Sequence, residues 1–416
     1  MILLRSVLVC EWSVDIFIKI GVFCFGMEIE VVGSTNRIKN PETAKRFVQN
    51  HARKCYTEKG WSELLIENFQ TGLIKSLITR GHHSPFDHFQ LNLDFVGTEK
   101  VLAMVFNNQG VYTTSEKSAR YTKMSDIPDH QKGLYDKWDG WFNDEISSRF
   151  PEGDFHKLHK RGGDGKTTAE KLSQENARYM TSSFTPTTMT HSVSWRQLNI
   201  LYHSFGDFIE ENRGCGDKFR ENLVDGMQSF VNSSDIQKWV IDEAQVRMKG
   251  AIPLRFIKGS PVEEHFGEDI YSTNYKASFA SLAQLHRHRL LVYDICKDVK
   301  LGGEDGFYVP RLVEAAGKSD EWESDLRDVA EYDFPQAQLL RVGERGMREH
   351  FPAKSLEREC GLAQLETSRI VDSVLGKYGK SVSSMKDFAN PSCVIEGGCK
   401  RGGCIFGADK YLERLV

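Results

Sequence analysis

The run Phe89-Gln90-Leu91-Asn92-Leu93-Asp94-Phe95 alternates apolar and polar residues without a fault. Side chains on a strand point to opposite faces in turn, so such a run is a half-buried β-strand. Gly97 is expected to end it. From Glu99 to Asn107 the apolar residues Val101, Leu102, Val105 and Phe106 recur at helical spacing. The chain therefore passes straight from strand to helix. Met27 opens a second alternating run, MEIEVVGS, which reads as the first strand.

Gly250, Pro253, Gly259 and Pro261 punctuate the chain past its middle and place a domain boundary there. A length of 416 residues exceeds one ordinary domain and suits two compact units plus an extension. The expected division is 1–26, 27–248 and 249–416. Residues 1–26 are apolar but carry Arg5, Glu11, Asp15 and Lys19, which spoil a membrane span, and no small-residue cleavage site follows. They read as an extension outside the fold. In the first unit a helix is expected at 168–180, Pro186 lies in a Ser/Thr-rich segment after it, and a long helical region covers 194–245. In the second, helices are expected near 277–297, 321–332 and 357–378. Lys and Arg number 54 against 58 Asp and Glu, a net charge of -4, so nothing favours non-specific binding to nucleic acid or membrane. Nine scattered cysteines form no disulfide framework, and a reducing cytoplasm is the expected compartment.

Several familiar ligand signatures fail. Gly165-Lys166-Thr167 ends like a phosphate-binding loop, but Lys160 stands where its first glycine belongs. No GxGxxG occurs. Cys393, Cys399 and Cys404 are irregularly spaced, and read as a zinc site or as loose thiols in a Gly-rich turn. Gly81-His82-His83-Ser84-Pro85-Phe86-Asp87-His88 holds three histidines, open to a functional role or to a polar turn capped by Ser84 and Asp87. No metal site is assigned.

Two further segments point to an anion. His286-Arg287-His288-Arg289 packs basic residues between apolar flanks, and between Glu268 and Asp294 the only acidic residue is Asp269. Taken as a helix, Gln284, Arg287, His288 and Leu291 share one face. Concentrated cations are costly unless an anion binds. Ser118-Ala119-Arg120 pairs a hydroxyl with a guanidinium, donors that a phosphate accepts together.

Together these segments resemble the flavin-dependent thymidylate synthases, present twice in tandem. That family has a GH-x-[ST]-P-F-[DE]-H turn, an Arg-His-Arg triplet followed after seven residues by Ser-x-Arg, and an R-x-x-x-x-A-Q-x-E helix. The first copy keeps the turn at 81–88, Ser118-Ala119-Arg120-Tyr121, Ala177-Arg178 and Val193-Ser194-Trp195-Arg196-Gln197-Leu198. Its triplet has become Asn108-Gln109-Gly110. The second keeps Gln284-x-x-Arg287-His288-Arg289 and Arg358-Glu359-Cys360-Gly361-Leu362-Ala363-Gln364-Leu365-Glu366. Lys297 and Val299 replace its Ser-x-Arg, and Ser260 to His265 echoes the upstream turn. Leu365 stands where the family has Trp, Val292 where a small hydroxyl residue is common, and Ser194 where it has Asn. The losses are complementary.

The resemblance implies an α+β fold: two tandem copies, each a mixed or antiparallel sheet packed with long helices. It implies a thymidylate synthase that carries a methylene group from methylenetetrahydrofolate to dUMP, with FAD as cofactor and NADPH as reductant. A dUMP hydroxymethylase or a non-catalytic nucleotide-binding paralogue are the other readings. Arg358 would be catalytic, stabilising the uracil as an anion. Glu116, Ser118, Arg120, Arg178, Gln284 and Arg287 would hold dUMP. Arg287, His288, Arg289, His82, Ser84 and Arg196 would hold FAD. The chain would pair into a homodimer, a pseudo-tetramer with one live pocket per chain.

Overall fold

The structure, a computed structural model, describes residues 27–120, 122, 124, 126–150, 168–241, 248, 254–257, 260–388 and 414–416. The expected extension 1–26, the polar loop 160–166 and the cysteines of the tail lie outside the described residues.

In the first half the strands are β1 (Glu28–Ser34), β2 (Gln90–Glu99), β3 (Tyr112–Glu116) and β4 (Pro186–Ser194). They form one antiparallel sheet in the order β1-β2-β4-β3. The alternation behind β2 is visible in its packing, since Leu91, Leu93 and Phe95 are fully buried while their neighbours are not. Gly97 does not end the strand. It adopts a positive φ of 79° at a register shift between Val96 and Thr98, so it forms a bulge and the strand runs on to Glu99. The Ser/Thr-rich segment after Pro186 is the central strand β4. Its inward residues are Thr187, Met189, His191 and Val193, so half of its core face is polar.

Helices α1 (Pro41–Lys54), α2 (Trp61–Leu65) and α3 (Thr71–Thr79) precede β2. Helix α4 (Lys100–Phe106) follows it, and α5 (Asp129–Arg149) and α6 (Thr168–Ala177) lie between β3 and β4. The helical region expected over 194–245 is three helices: α7 (Trp195–Asn212), α8 (Lys218–Asn232) and α9 (Ser234–Gln237). Gly214 and Gly216, both at positive φ, break it, and the Asp217 side chain restarts it by accepting from the Arg220 amide.

The second half repeats the order. Strands β5 (His265–Phe266), β6 (Ile270–Ser278), β7 (Val292–Ile295) and β8 (Leu339–Met347) form an antiparallel sheet ordered β5-β6-β8-β7. Helix α10 (Phe279–Leu285) follows β6 as α4 follows β2, and both have seven residues. The helix expected over 277–297 therefore stops at Leu285, where a turn leads into β7. Gln284, Arg287, His288 and Leu291 do not share a helical face. After α11 (Arg311–Ala315) and α12 (Ser319–Ala330) comes β8, then α13 (Phe351–Arg358) and α14 (Leu365–Ser381). The expected helix 357–378 is thus broken around Gly361, leaving Arg358 at the end of α13. The segment 260–265 runs into β5, whereas the turn 81–88 lies between β1 and β2, so the two do not occupy equivalent places.

The halves join along a seam. The Ser183 amide donates to Phe334 O at 2.7 Å and the Gln336 amide to Thr181 O at 2.7 Å, around a bridge between Ser182 and Pro335. One apolar core runs through both sheets, and a second, with Trp138 and Trp322 edge to face at 4.8 Å, fills the space between α5 and α12. Among the described residues no helix is long and apolar enough to cross a membrane.

Candidate active site

Strand β3 ends on Glu116, whose side chain is buried between cations from the two halves. Lys100, the first residue of α4, donates to one carboxylate oxygen, and Arg287 Nη2 donates to the other at 2.7 Å. Burial alone would raise the Glu116 carboxyl, but Lys100 and Arg287 outweigh it and hold it below its ordinary value. Glu116 is therefore an ionised anchor that fixes Arg287. Lys100 was not foreseen; a lysine opening an otherwise apolar helix was the available signal.

Beyond β3, Arg120 Nε donates to Glu175 Oε2 at 2.6 Å and its Nη2 to the Leu362 carbonyl. Arg178, at the end of α6, is buried and donates to Gln364 Oε1 and to Ala280 O at 3.3 Å. Gln284 donates to the same Gln364 oxygen, and Gln364 donates to the Tyr179 hydroxyl. Tyr179 donates to Glu366 at 2.6 Å, where Ser278 also donates through its amide and its hydroxyl. Burial pushes the Glu366 carboxyl up. Gln364 and Glu366 belong to the Ala-Gln-x-Glu run but were not expected to organise Arg178. Nor was Arg414, which donates to Ala363 O at 2.7 Å beside Arg120.

Arg358 closes the group. Desolvation lowers its guanidinium, Glu357 opposes this, and the charges of Arg120 and Arg287 lower it further. His288 is half-buried and pushed down to about 2, first by burial and then by Arg358 and Lys354, so its ring is neutral. Arg289 donates to Thr114 O at 3.2 Å and lies 5.3 Å over the Tyr112 ring. Arg178 Nε, Arg358 Nε, Gln284 Oε1 and His288 Nε2 are buried without hydrogen-bond partners among the described residues.

The structure thus gathers Glu116, Arg120, Arg178, Gln284, Arg287, His288, Arg289 and Arg358 across the seam. The hydroxyl of Ser118, two residues from Arg120, has no bond to this group among those described. Arg196 is tied to the turn that Ser84 opens: Arg196 Nη1 and the Ser194 hydroxyl both donate to Asp87 at 2.8 Å, while His82 lies edge-on to Tyr56. Gln197 beside them donates to Gln109 O at 2.7 Å. These hydrogen bonds run to Asp87 and Gln109, not to Arg287, His288 or Arg289.

The family model described as "Thymidylate synthase complementing protein" matches residues 38–205. That segment of the chain is similar to the family. The match takes in the turn 81–88, Glu116, Ser118, Arg120 and Arg178, while Gln284 to Arg289 and Arg358 lie beyond it. No curated protein matches the chain. Among solved structures, thymidylate synthase X (ThyX) from Helicobacter pylori with FAD and dUMP is 16% identical over 53% of this chain and 99% of that one, with a TM-score of 0.29. A UMP/dUMP methylase, PolB, from Streptomyces cacaoi bound with 5-Br dUMP is also 16% identical, over 42% of this chain and 77% of that one, with a TM-score of 0.25. The two sheets and their antiparallel order agree with the expected α+β class.

Proposed function

We propose that the chain is a flavin-dependent thymidylate synthase whose two halves are diverged tandem copies, 27–248 and 249–416, supplying opposite walls of one pocket. One observation carries the reading: Arg120 and Arg178 from the first half face Gln284, Arg287 and Arg358 from the second, around buried Glu116. Four converging guanidiniums suit a nucleoside monophosphate dianion. The orphaned donors of Arg178 and Arg358 and the orphaned Gln284 carbonyl are the groups that phosphate, a uracil carbonyl and a uracil N–H would satisfy. The shared strand order of the two sheets and the equal length of α4 and α10 support the duplication.

FAD fits the same wall. A neutral His288 with a free ring nitrogen offers a flavin a contact without charge, while Arg287 and Arg289 neutralise its pyrophosphate. The flavin supplies hydride chemistry, replenished by NADPH, and methylenetetrahydrofolate supplies the carbon. The chain's own part is electrostatic. Arg120 and Arg178 bind the phosphate, Gln284 orients the base, and Arg287 links nucleotide and flavin, held in place by Glu116. Arg358, desolvated and beside the base, stabilises negative charge on the uracil ring and so raises electron density at carbon 5. Ser118 completes the phosphate cradle. His82, Ser84 and Arg196 would serve the flavin of a second chain in a homodimer.

Anaerobic incubation with dUMP, FAD, NADPH and methylenetetrahydrofolate, followed by mass analysis of the nucleotide, should return dTMP. Hydroxymethyl-dUMP or unchanged dUMP would refute the methylation. Arg120→Ala should weaken dUMP binding by roughly ten- to hundredfold, the loss of a charge-assisted hydrogen bond. A titrated ratio of two flavins per chain would contradict the single composite pocket.

A further inference from the structure

Beneath the pocket lies an ion pair that the proposed chemistry does not use. Lys354, on α13, donates to Glu344 on β8, and both side chains are fully buried. The remaining carboxylate positions are filled by Tyr271, donating at 2.6 Å, and Tyr275, donating at 2.5 Å. The ammonium lies within 6 Å of the ring centres of Phe351, Tyr275 and Tyr293, at 5.6, 5.8 and 5.7 Å. Only Tyr275 of this arrangement is partly exposed.

A buried pair of this kind adds little to stability, because desolvation offsets the attraction, and well-packed neutral residues commonly replace it without loss. The molecule contains its own demonstration. Strands β4 and β8 have nine residues each, and the sixth is His191 in one and Glu344 in the other. Each stands between equivalent neighbours: His191 between Leu93 and Thr114, Glu344 between Thr273 and Tyr293. The first half closes its sheet at that point with a neutral ring against Tyr112 and Phe106, and no ion pair is needed. The fold does not require the charges. Their neighbours show what does. Lys354 lies one helical turn before Arg358, on the same face of α13, and its charge bears on both Arg358 and His288. Tyr293, opposite Glu344 in the sheet, carries a buried hydroxyl without a partner among the described residues and also interacts with Arg358.

We propose that Lys354, locked by Glu344, Tyr271 and Tyr275, is a positioning residue that sets the placement of Arg358 and His288 at the flavin side of the pocket. The role rests on the functional reading above. Pinning the ammonium to the sheet fixes the rotation of α13, so Arg358 reaches the base from one direction only. The same ammonium, next to His288, disfavours a second proton there and keeps the ring a neutral contact.

The test is the paired substitution Lys354→Met with Glu344→Gln, which removes both charges and leaves none unmatched. The variant should unfold at the same temperature as the wild type or slightly above it. Its FAD dissociation constant should rise and its kcat fall by roughly tenfold or more, while KM for dUMP shifts by less than about threefold, since Arg120, Arg178 and Gln284 are untouched. The absorption band of the bound flavin should move as well. A folded variant with wild-type flavin affinity, spectrum and kcat would overturn the positioning role and leave the functional reading standing. So would losses spread evenly over flavin, dUMP and melting temperature, which is how a merely structural pair behaves. Wild-type protein that takes up neither FAD nor dUMP would remove both.

Discussion

The two halves share a strand order yet spend their polar residues differently. After α4 the turn Asn108-Gln109-Gly110 points inward to the other half: Asn108 Nδ2 donates to Tyr293 O at 2.5 Å. After α10 the matching turn Arg287-His288-Arg289 does the reverse, with Arg287 on Glu116 and Arg289 on Thr114 O. One turn clasps the other half, and on the proposed reading the other faces ligand. At the strand ends the bias inverts, since Glu116 ends β3 and Arg120 follows it, where Ile295 ends β7 and Val299 follows it. A pocket needs one good turn and one good strand end. Each half has kept a different one.

That asymmetry can be broken experimentally. The largest expected effect is at Arg358, whose loss to alanine should cut kcat by roughly 10²–10³-fold, as for an oxyanion-hole donor, while FAD stays bound. Wild-type turnover would show that the second half contributes no chemistry. Next is Asn108→Ala. It removes the clasp on Tyr293 and should cost about 1–3 kcal/mol in urea unfolding, yet leave dUMP affinity unchanged, because the first half's turn is structural. A loss of affinity instead would mean that both turns face ligand. The smallest effect is at His191, which burial and the charge of Arg289 push down to about 3 from 6.5. An unfolded chain binds that proton below pH 6.5 and the folded one does not, so stability falls as pH drops through the window from 6.5 to 3. His191→Phe should flatten this decline by about 2 kcal/mol between pH 7 and pH 5, with little change at pH 7, measured by melts across that range.

Much of the frame was legible in the residues. The alternations at 27–34 and 89–95 gave β1 and β2, and the spacing of Val101, Leu102, Val105 and Phe106 gave α4. Strand β4 was hidden because two of its four inward residues are Thr187 and His191, and a mixed core face has no clean period. The helix expected at 277–297 overran for the opposite reason: His286 to Leu291 has no glycine or proline to mark the turn. The arginines of the site could be picked out by motif, and the structure joins them across the seam. Their supports could not. Lys100, Glu175, Gln364 and Arg414 act through buried pairings formed over long sequence separations, which leave no local pattern. The tie of Arg196 to Asp87 was equally invisible, since motif order does not say which residue a side chain meets.

The seam at Ser182 and Pro335 has a consequence for how such a protein can change. Its main-chain bonds tie a segment just before β4 to the one just before β8, so either half expressed alone would present bare amides and a raw apolar flank to water. A gene cut between the halves would yield two products that each expose that edge. Once joined, the partners travel together, and neither can be lost without the other.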